Sequence, residues 1–182
     1  RHYIGGQFYK KPDDFKGKVA YTHSLGTMKL FFDTLGTEKT IQLPFSDLPK
    51  AMKKELGFAV DVSANPNSNT LQSKLYENTK KLTLSAHDFN AYVFLTNRKW
   101  FNNLPADVQN GFVEAAQKSG LYHFEQAQKM SQQDLEKLKA LGVQTYQWTN
   151  EEREEFKKKA VPVHGNYLKN INADFLNEVY KN

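Results

Sequence analysis

The sequence contains no cysteine among its 182 residues, which removes disulfides, thiolate metal sites and cysteine nucleophiles together. Long apolar runs are missing too. Mean hydropathy is −0.70, and no stretch approaches the ~20 residues that a membrane-spanning helix requires. Charge of one sign is modest: 25 Lys and Arg against 20 Asp and Glu leave a formal net charge of +5. The lysine clusters at Lys10-Lys11, Lys53-Lys54, Lys80-Lys81 and Lys157-Lys158-Lys159 are mixed with acids or flank amphipathic runs, the pattern of solvated faces. With no arginine-rich arm and no RNP-type aromatic motif, no nucleic-acid partner is expected. What is present is aromatic area. Phe, Tyr and Trp make up 13% of the chain, enough buried surface to offset chain entropy and to exclude disorder. The length fits one ordinary domain, or two small lobes sharing a chain.

Catalytic motifs are also lacking. The five histidines, His2, His23, His87, His123 and His164, form neither HExxH nor any i, i+4 pair, so no zinc site is expected. There is no GxGxxG, no Walker A loop and no G-x-S-x-G elbow, so the backbone cradles for nucleotides and the strained nucleophile turn are missing. The stretch from Asp61 to Asn69 carries alternating oxygen ligands, as a calcium loop does, but Pro66 stands where the loop needs Gly and Gln72 where it needs a bidentate Glu. The acidic pairs Asp13-Asp14, Glu151-Glu152 and Glu154-Glu155 are adjacent in sequence and do not face each other across a cleft. The expectation is therefore a binding protein with no cofactor and no metal, not an enzyme. The sequence starts at Arg1 with no apolar leader before it, which reads as a removed presequence or as a piece of something larger.

Periodicity organises the rest. Residues 18–22, 40–43 and 58–62 read as strands, with helical spacing over residues 24–35 and 47–56 between them and Gly36 and Gly57 as stops. That rhythm predicts a parallel α/β sheet. Residues 7–17 read as a loop whose Pro12-Asp13-Asp14-Phe15 makes a helical turn closed by Gly17. After a polar loop at 65–69, residues 71–78 read as a short helix, and residues 81–84, 92–95 and 143–148 as further strands. Pro105 opens a long helical stretch that runs to Gly142, with Gly120 and Ser131 as candidate bends. Thr149-Asn150-Glu151-Glu152 is an N-terminal cap pattern for a last helical region, interrupted by Pro162.

Open α/β sheets bind ligands at the carboxyl ends of their strands. Asn65 before Pro66, Phe45 after Pro44, and Tyr21 near the end of the first strand all fall there, and Arg1 can supply a bidentate contact to a carboxylate. Taken singly, these are a turn Asn, a core Phe and a core Tyr; taken jointly, they form a rim.

At these residues the sequence resembles the DctP-type periplasmic solute-binding proteins of TRAP transporters. The matching stretches are residues 11–18 (Lys-Pro-Asp-Asp-Phe-Lys-Gly-Lys), Leu43-Pro44-Phe45-Ser46-Asp47, Asn65-Pro66 with Ser73-Lys74-Leu75-Tyr76-Glu77, Leu82-Thr83-Leu84 with His87, and Asn97-Arg98-Lys99-Trp100-Phe101 through Leu104-Pro105. The run from Ser73 to His87 is the most specific. The resemblance covers essentially the whole chain but only the later part of the family. It implies a type II periplasmic-binding-protein clam-shell, here mainly the second lobe plus hinge and long C-terminal helices. The corresponding divisions are residues 1–89 as the second lobe, 90–130 as the hinge return with part of the first lobe, and 131–182 as long helix, strand and C-terminal helices. It further implies that Arg1 stands at one of two carboxylate-gripping arginines, that Tyr21 stands where the second would be, that Phe45 packs beside the ligand, and that Asn65 is the Asn of a Gln-Glu-Asn-Pro loop, here Ser63-Ala64-Asn65-Pro66. The implied protein is a secreted, periplasmic receptor. The implied receptor binds a small anionic solute, such as an organic acid, and hands it to TRAP permease subunits. A ligand-less interaction module of the same fold and a small α/β enzyme are the rival readings.

Overall fold

Short apolar runs punctuated by turn residues build one mixed sheet. The computed structural model describes residues 1–23, 26–89 and 91–166, together with Asp174. The strands are His2–Gly5 (β1), Val19–Thr22 (β2), Lys39–Gln42 (β3), Val62–Asn65 (β4), Lys81–Leu84 (β5) and Gln144–Gln147 (β6), in the spatial order β3-β2-β4-β1-β5-β6. β2 pairs in parallel with β3 and β4, and β5 with β6, while β1 runs antiparallel to both β4 and β5. Five strands thus share one direction, as the strand–helix rhythm predicts. The expected purely parallel sheet is corrected at one place: the first strand of the chain is inserted, reversed, into its middle.

Alternation along the strands gives the sheet two apolar faces. Tyr3 of β1 joins Phe15, Phe32, Val62, Trp148 and Phe156 on one side. Its neighbour Ile4 joins Tyr21, Leu48, Leu75, Leu82 and Leu138 on the other. Helices Thr27–Thr34 (α1) and Asn150–Gly165 (α6) cover the first face with Phe31, Phe32, Phe156 and Val163. Leu48–Met52 (α2) and the last turns of Ala106–Ala140 (α5) cover the second with Leu48, Ala51 and Leu138. Asn67–Gln72 (α3) lies between β4 and α5, and Arg98–Asn102 (α4) precedes α5. Gly5 marks the tightest point. A Cβ there would stand 2.6 Å from the Asp61 carbonyl oxygen and 2.7 Å from the Tyr9 hydroxyl, so no side chain fits.

Several local signals act as read. Thr149 caps α6 by accepting from the Glu152 N–H at 3.2 Å while the Glu152 carboxylate accepts from the Thr149 N–H at 2.9 Å. Gly142 closes α5 at φ 82°, a left-handed conformation that suits glycine at a helix end.

Other expectations are corrected. Residues 92–95 are not a strand: Tyr92, Val93, Phe94 and Leu95 are 72–88% exposed, an apolar run with no neighbouring strand among the described residues to pair with. The strand expected at 58–62 starts at Val62 and runs through Asn65, so part of the polar loop is buried ladder. The helix expected at 47–56 is a 3-10 turn, Phe45–Asp47, followed by only five helical residues, with Lys54 at φ 64° ending it. Residues 71–78 divide into the end of α3 and a 3-10 turn, Leu75–Glu77. α5 continues through Gly120 and Ser131 without a break for 35 residues, roughly 50 Å. Pro162 lies inside α6 rather than ending it. The start of the helix expected at 24–35, the first residue of the 90–130 segment, and the chain after 166 other than Asp174 lie outside the described residues. No helix among the described residues is long and apolar enough to cross a membrane.

Candidate functional site

Because β1 opposes its neighbours, its first residue lies at the same edge as the carboxyl ends of the other strands. His2 is in register with Asn65, the last residue of β4. Arg1 therefore projects over that edge. Its Nη1 donates to the Ala64 carbonyl at 3.1 Å, and its Nε lies 3.0 Å from Asp88 Oδ2. The two side chains are 16% and 25% exposed, a shielded but not sealed ion pair.

Tyr21 and Ser63 are register partners on β2 and β4, and both are buried. The Tyr21 ring meets Phe45 with centroids 6.3 Å apart at 46°. Its hydroxyl is buried without a hydrogen-bond partner. Burial pushes the phenol pKa up, and the nearby Arg1 charge opposes that shift. Asn65, also buried, donates from Nδ2 to Ser63 Oγ. The structure thus brings Tyr21 against Phe45, Asn65 against Ser63, and Arg1 onto the Ala64 carbonyl beside Asn65. Tyr21 and Asn65 are part of the sheet interior, and Phe45 is half-buried. Of the four, Arg1 lines an open cleft.

That cleft has a volume of about 420 Å³, within the usual range for small-molecule sites. Its floor is Arg1 and Asp88, one wall is Asn67 with Ser68 and Asn69 at the start of α3, and the other is Phe89, Tyr92 and the inner face of α5 at His123, Gln126 and Met130. Asn67 is buried and donates from Nδ2 to the Ser131 carbonyl at 3.2 Å, tying α3 to α5, while its Oδ1 is buried with no partner. A buried amide oxygen left unpaired is costly and marks a place where a donor is missing. A separate apolar recess, also about 420 Å³, adjoins it between Phe94, Phe124 and Ala127. A further polar recess of about 280 Å³, lined by Gly6, Lys18 and Asp61, lies at the opposite sheet edge, away from the carboxyl ends of the parallel strands.

The site is backed by a rigid aromatic base. His87, two residues beyond Ser85, is stacked on Tyr3 at 4.0 Å and 9°, and its Nδ1 lies 2.6 Å from Ser85 Oγ. Burial pushes the His87 pKa well down, holding the imidazole neutral, and takes His2 down to about 4. Asp61, at the head of the stretch whose calcium-loop pattern fails at Pro66 and Gln72, has a structural contact, its Oδ2 accepting from the Val19 N–H at 2.8 Å. Among the described residues no group of three or more His, Cys, Asp or Glu is gathered as for a metal.

Sequence reasoning missed Asp88 and Asn67. Asn67 stood inside the polar loop, where the repeated Asn and Ser carried a signal for a strand-end site without singling it out. Asp88 follows His87 at the end of the most specific stretch, but its partner is 87 residues away and no local pattern announces the pair.

Residues 4–170 match the family described as bacterial extracellular solute-binding protein, family 7 (DctP). The C4-dicarboxylate-binding periplasmic protein DctP of Rhodobacter capsulatus is 29% identical over 164 residues, covering 90% of this chain and 48% of that protein. A TRAP periplasmic solute-binding protein of Shewanella oneidensis with bound succinate superposes with a TM-score of 0.81 at 22% identity, over 95% of this chain and 56% of that one. The periplasmic ectoine-binding protein of the TeaABC TRAP transporter of Halomonas elongata does so with a TM-score of 0.79 at 20% identity, over 94% and 56%. The chain spans about half the length of the curated relatives it matches.

Proposed function

The chain belongs to bacterial extracellular solute-binding protein family 7, and from that premise we propose that it is the solute-gripping part of a periplasmic receptor that delivers a small carboxylate-bearing metabolite to the membrane subunits of a TRAP-type transporter. The observation that carries this reading is Arg1, poised over the carboxyl ends of the strands at the floor of a cleft of about 420 Å³. A guanidinium held at such a place by the Ala64 carbonyl is oriented before a ligand arrives, which lowers the entropic cost of capture.

In this proposal residues 1–89 act as the second lobe, 90–130 as the return through the hinge with part of the first lobe, and 131–182 as the helix, strand and terminal helices that bind the two together. Arg1 grips the solute carboxylate. Behind it, Tyr21, held by ring contact with Phe45, and Asn65 shape the buried sheet end that carries the guanidinium. The solute is bound without covalent change. Closure of the lobes is a population shift whose size is set by the ligand's differential contacts with the open and closed forms.

Isothermal titration of the native-length protein against organic acids, sugar acids and amino acids tests the reading. One class should bind in the micromolar range or tighter, and Arg1→Ala should weaken it at least ~10-fold, about 1.4 kcal/mol. Failure of every solute to bind or to raise the melting temperature would instead favour an interaction module that has lost its ligand.

A further inference from the structure

We propose that Asp88 and Asn67 set the specificity of the cleft, making it a site for a zwitterionic solute, one with an ammonium or amidinium donor beside its carboxylate, in preference to a dicarboxylate. This deepens the receptor reading above and rests on it. Three observations carry it.

The first is charge. Among the described residues lining the cleft, the charged side chains are Arg1 and Asp88, and they oppose each other at 3.0 Å. The floor is therefore neutral as a pair. A solute that brings only negative charge meets one attraction and one repulsion, and its second carboxylate finds no second Lys or Arg in the described lining, the remaining basic group being the imidazole of His123 on α5. A solute that brings one charge of each sign can take both ends, its carboxylate on the guanidinium and its cation on Asp88.

The second is hydrogen-bond polarity. Asn67 lines the cleft, and its Oδ1 is an acceptor, buried and without a partner, while its Nδ2 is already committed to Ser131. An acceptor waiting in a site calls for a donor on the ligand. An ionised, unsubstituted dicarboxylate such as succinate carries acceptors only, so it would leave Asn67 Oδ1 unpaired and face it with a second oxygen. An ammonium supplies up to three donors, enough for both Asp88 and Asn67.

The third is placement. Asp88 follows the His87–Tyr3 stack and the Ser85–His87 contact, so the backbone that carries the carboxylate is fixed from below. The carboxylate is a built feature of the cleft floor, placed before any ligand enters. Discrimination of this kind works by penalty as well as attraction: the wrong ligand strands a buried polar group or meets a like charge.

The test is competition titration on the native-length protein with succinate, L-malate, ectoine and the twenty amino acids as probes. The expected result is that at least one zwitterion binds 10-fold or more tightly than either dicarboxylate. Asp88→Asn should weaken that zwitterion at least 10-fold and tighten succinate, reversing the ranking, and Asp88→Ser should do the same. Circular dichroism checks that the variants fold. If neither does, the ranking on the unaltered protein decides alone. Succinate or malate binding more tightly than every zwitterion, with Arg1→Ala abolishing it, would overturn this inference and leave the receptor reading standing. No binding by any probe would overturn this inference, and no binding across the wider panel above, sugar acids included, would overturn both.

Discussion

Near Asp134 and Leu138, α5 lies against the sheet and both residues are buried, whereas from residue 91 to 130 no side chain is buried at all. Yet the exposed stretch is not written for water. Trp100, Phe112, Val113, Leu121, Tyr122, Phe124 and Met130 are 48–71% exposed. Both stretches carry apolar residues at helical spacing, and both are helical. The difference is the counter-surface. At Leu138 the sheet supplies Leu82 and Val143; along Phe112 to Phe124 the described residues supply a shallow apolar recess. Helical periodicity therefore reports that a face is meant to be covered, and the packing reports whether this stretch of chain covers it.

Paired substitutions measure that contrast. Phe32→Ala, in a fully buried ring cluster, should cost about 3–5 kcal/mol of unfolding free energy, while Phe112→Ala should stay within about 0.5 kcal/mol in this chain. On a single helix, Leu138→Ala should cost about 2–5 kcal/mol and Leu121→Ala less than about 0.5 kcal/mol, read from urea midpoints at constant m. Equal costs for the two leucines would show that the outer half of α5 is covered in solution.

Acid should act through the sheet end. His87 is held neutral by burial, so its folded pKa lies below the unfolded value of about 6.5. Above that pH both states are neutral and nothing is lost. As pH falls below it, the unfolded state takes up the proton first and stability declines, by up to about 1.4 kcal/mol per pH unit. His2, depressed to about 4 chiefly by burial, adds to the decline between about 6.5 and 4. His87→Gln should flatten the profile, and an unchanged slope in that variant would assign the acid sensitivity elsewhere. A smaller loss than at the buried rings is expected for Thr149→Ala, which removes the cap on α6 at a cost of about 1 kcal/mol in thermal or urea unfolding.

Much of this was legible where the signal is local. Gly36 and Gly142 stop helices because the backbone there turns left-handed, and Thr149 with Glu152 starts one because two orphan amides need acceptors. β2, β3, β5 and β6 were readable as short apolar or alternating runs between turns. His2-Tyr3-Ile4-Gly5 was not: four residues at the start of the chain, apolar on both faces, carry no alternation to detect. Residues 92–95 misled for the mirror reason, since an apolar run looks like a buried strand whether or not a neighbour exists to pair with it. At the site, Arg1, Tyr21, Phe45 and Asn65 could be placed along one edge because strand ends are local features. The Arg1–Asp88 pair and the orphan oxygen of Asn67 depend on which distant segments meet, and composition does not encode that.

The reversed strand in mid-sheet has a consequence for assembly. Among the described residues, β1 is the sole hydrogen-bonded bridge between the ribbon β3-β2-β4 and the ribbon β5-β6. Its second partner, Lys81–Leu84, follows some eighty residues later in the chain. The two ribbons cannot be stitched until that long loop closes, so joining them is a non-local step in which the tetrapeptide His2–Gly5 acts as the keystone.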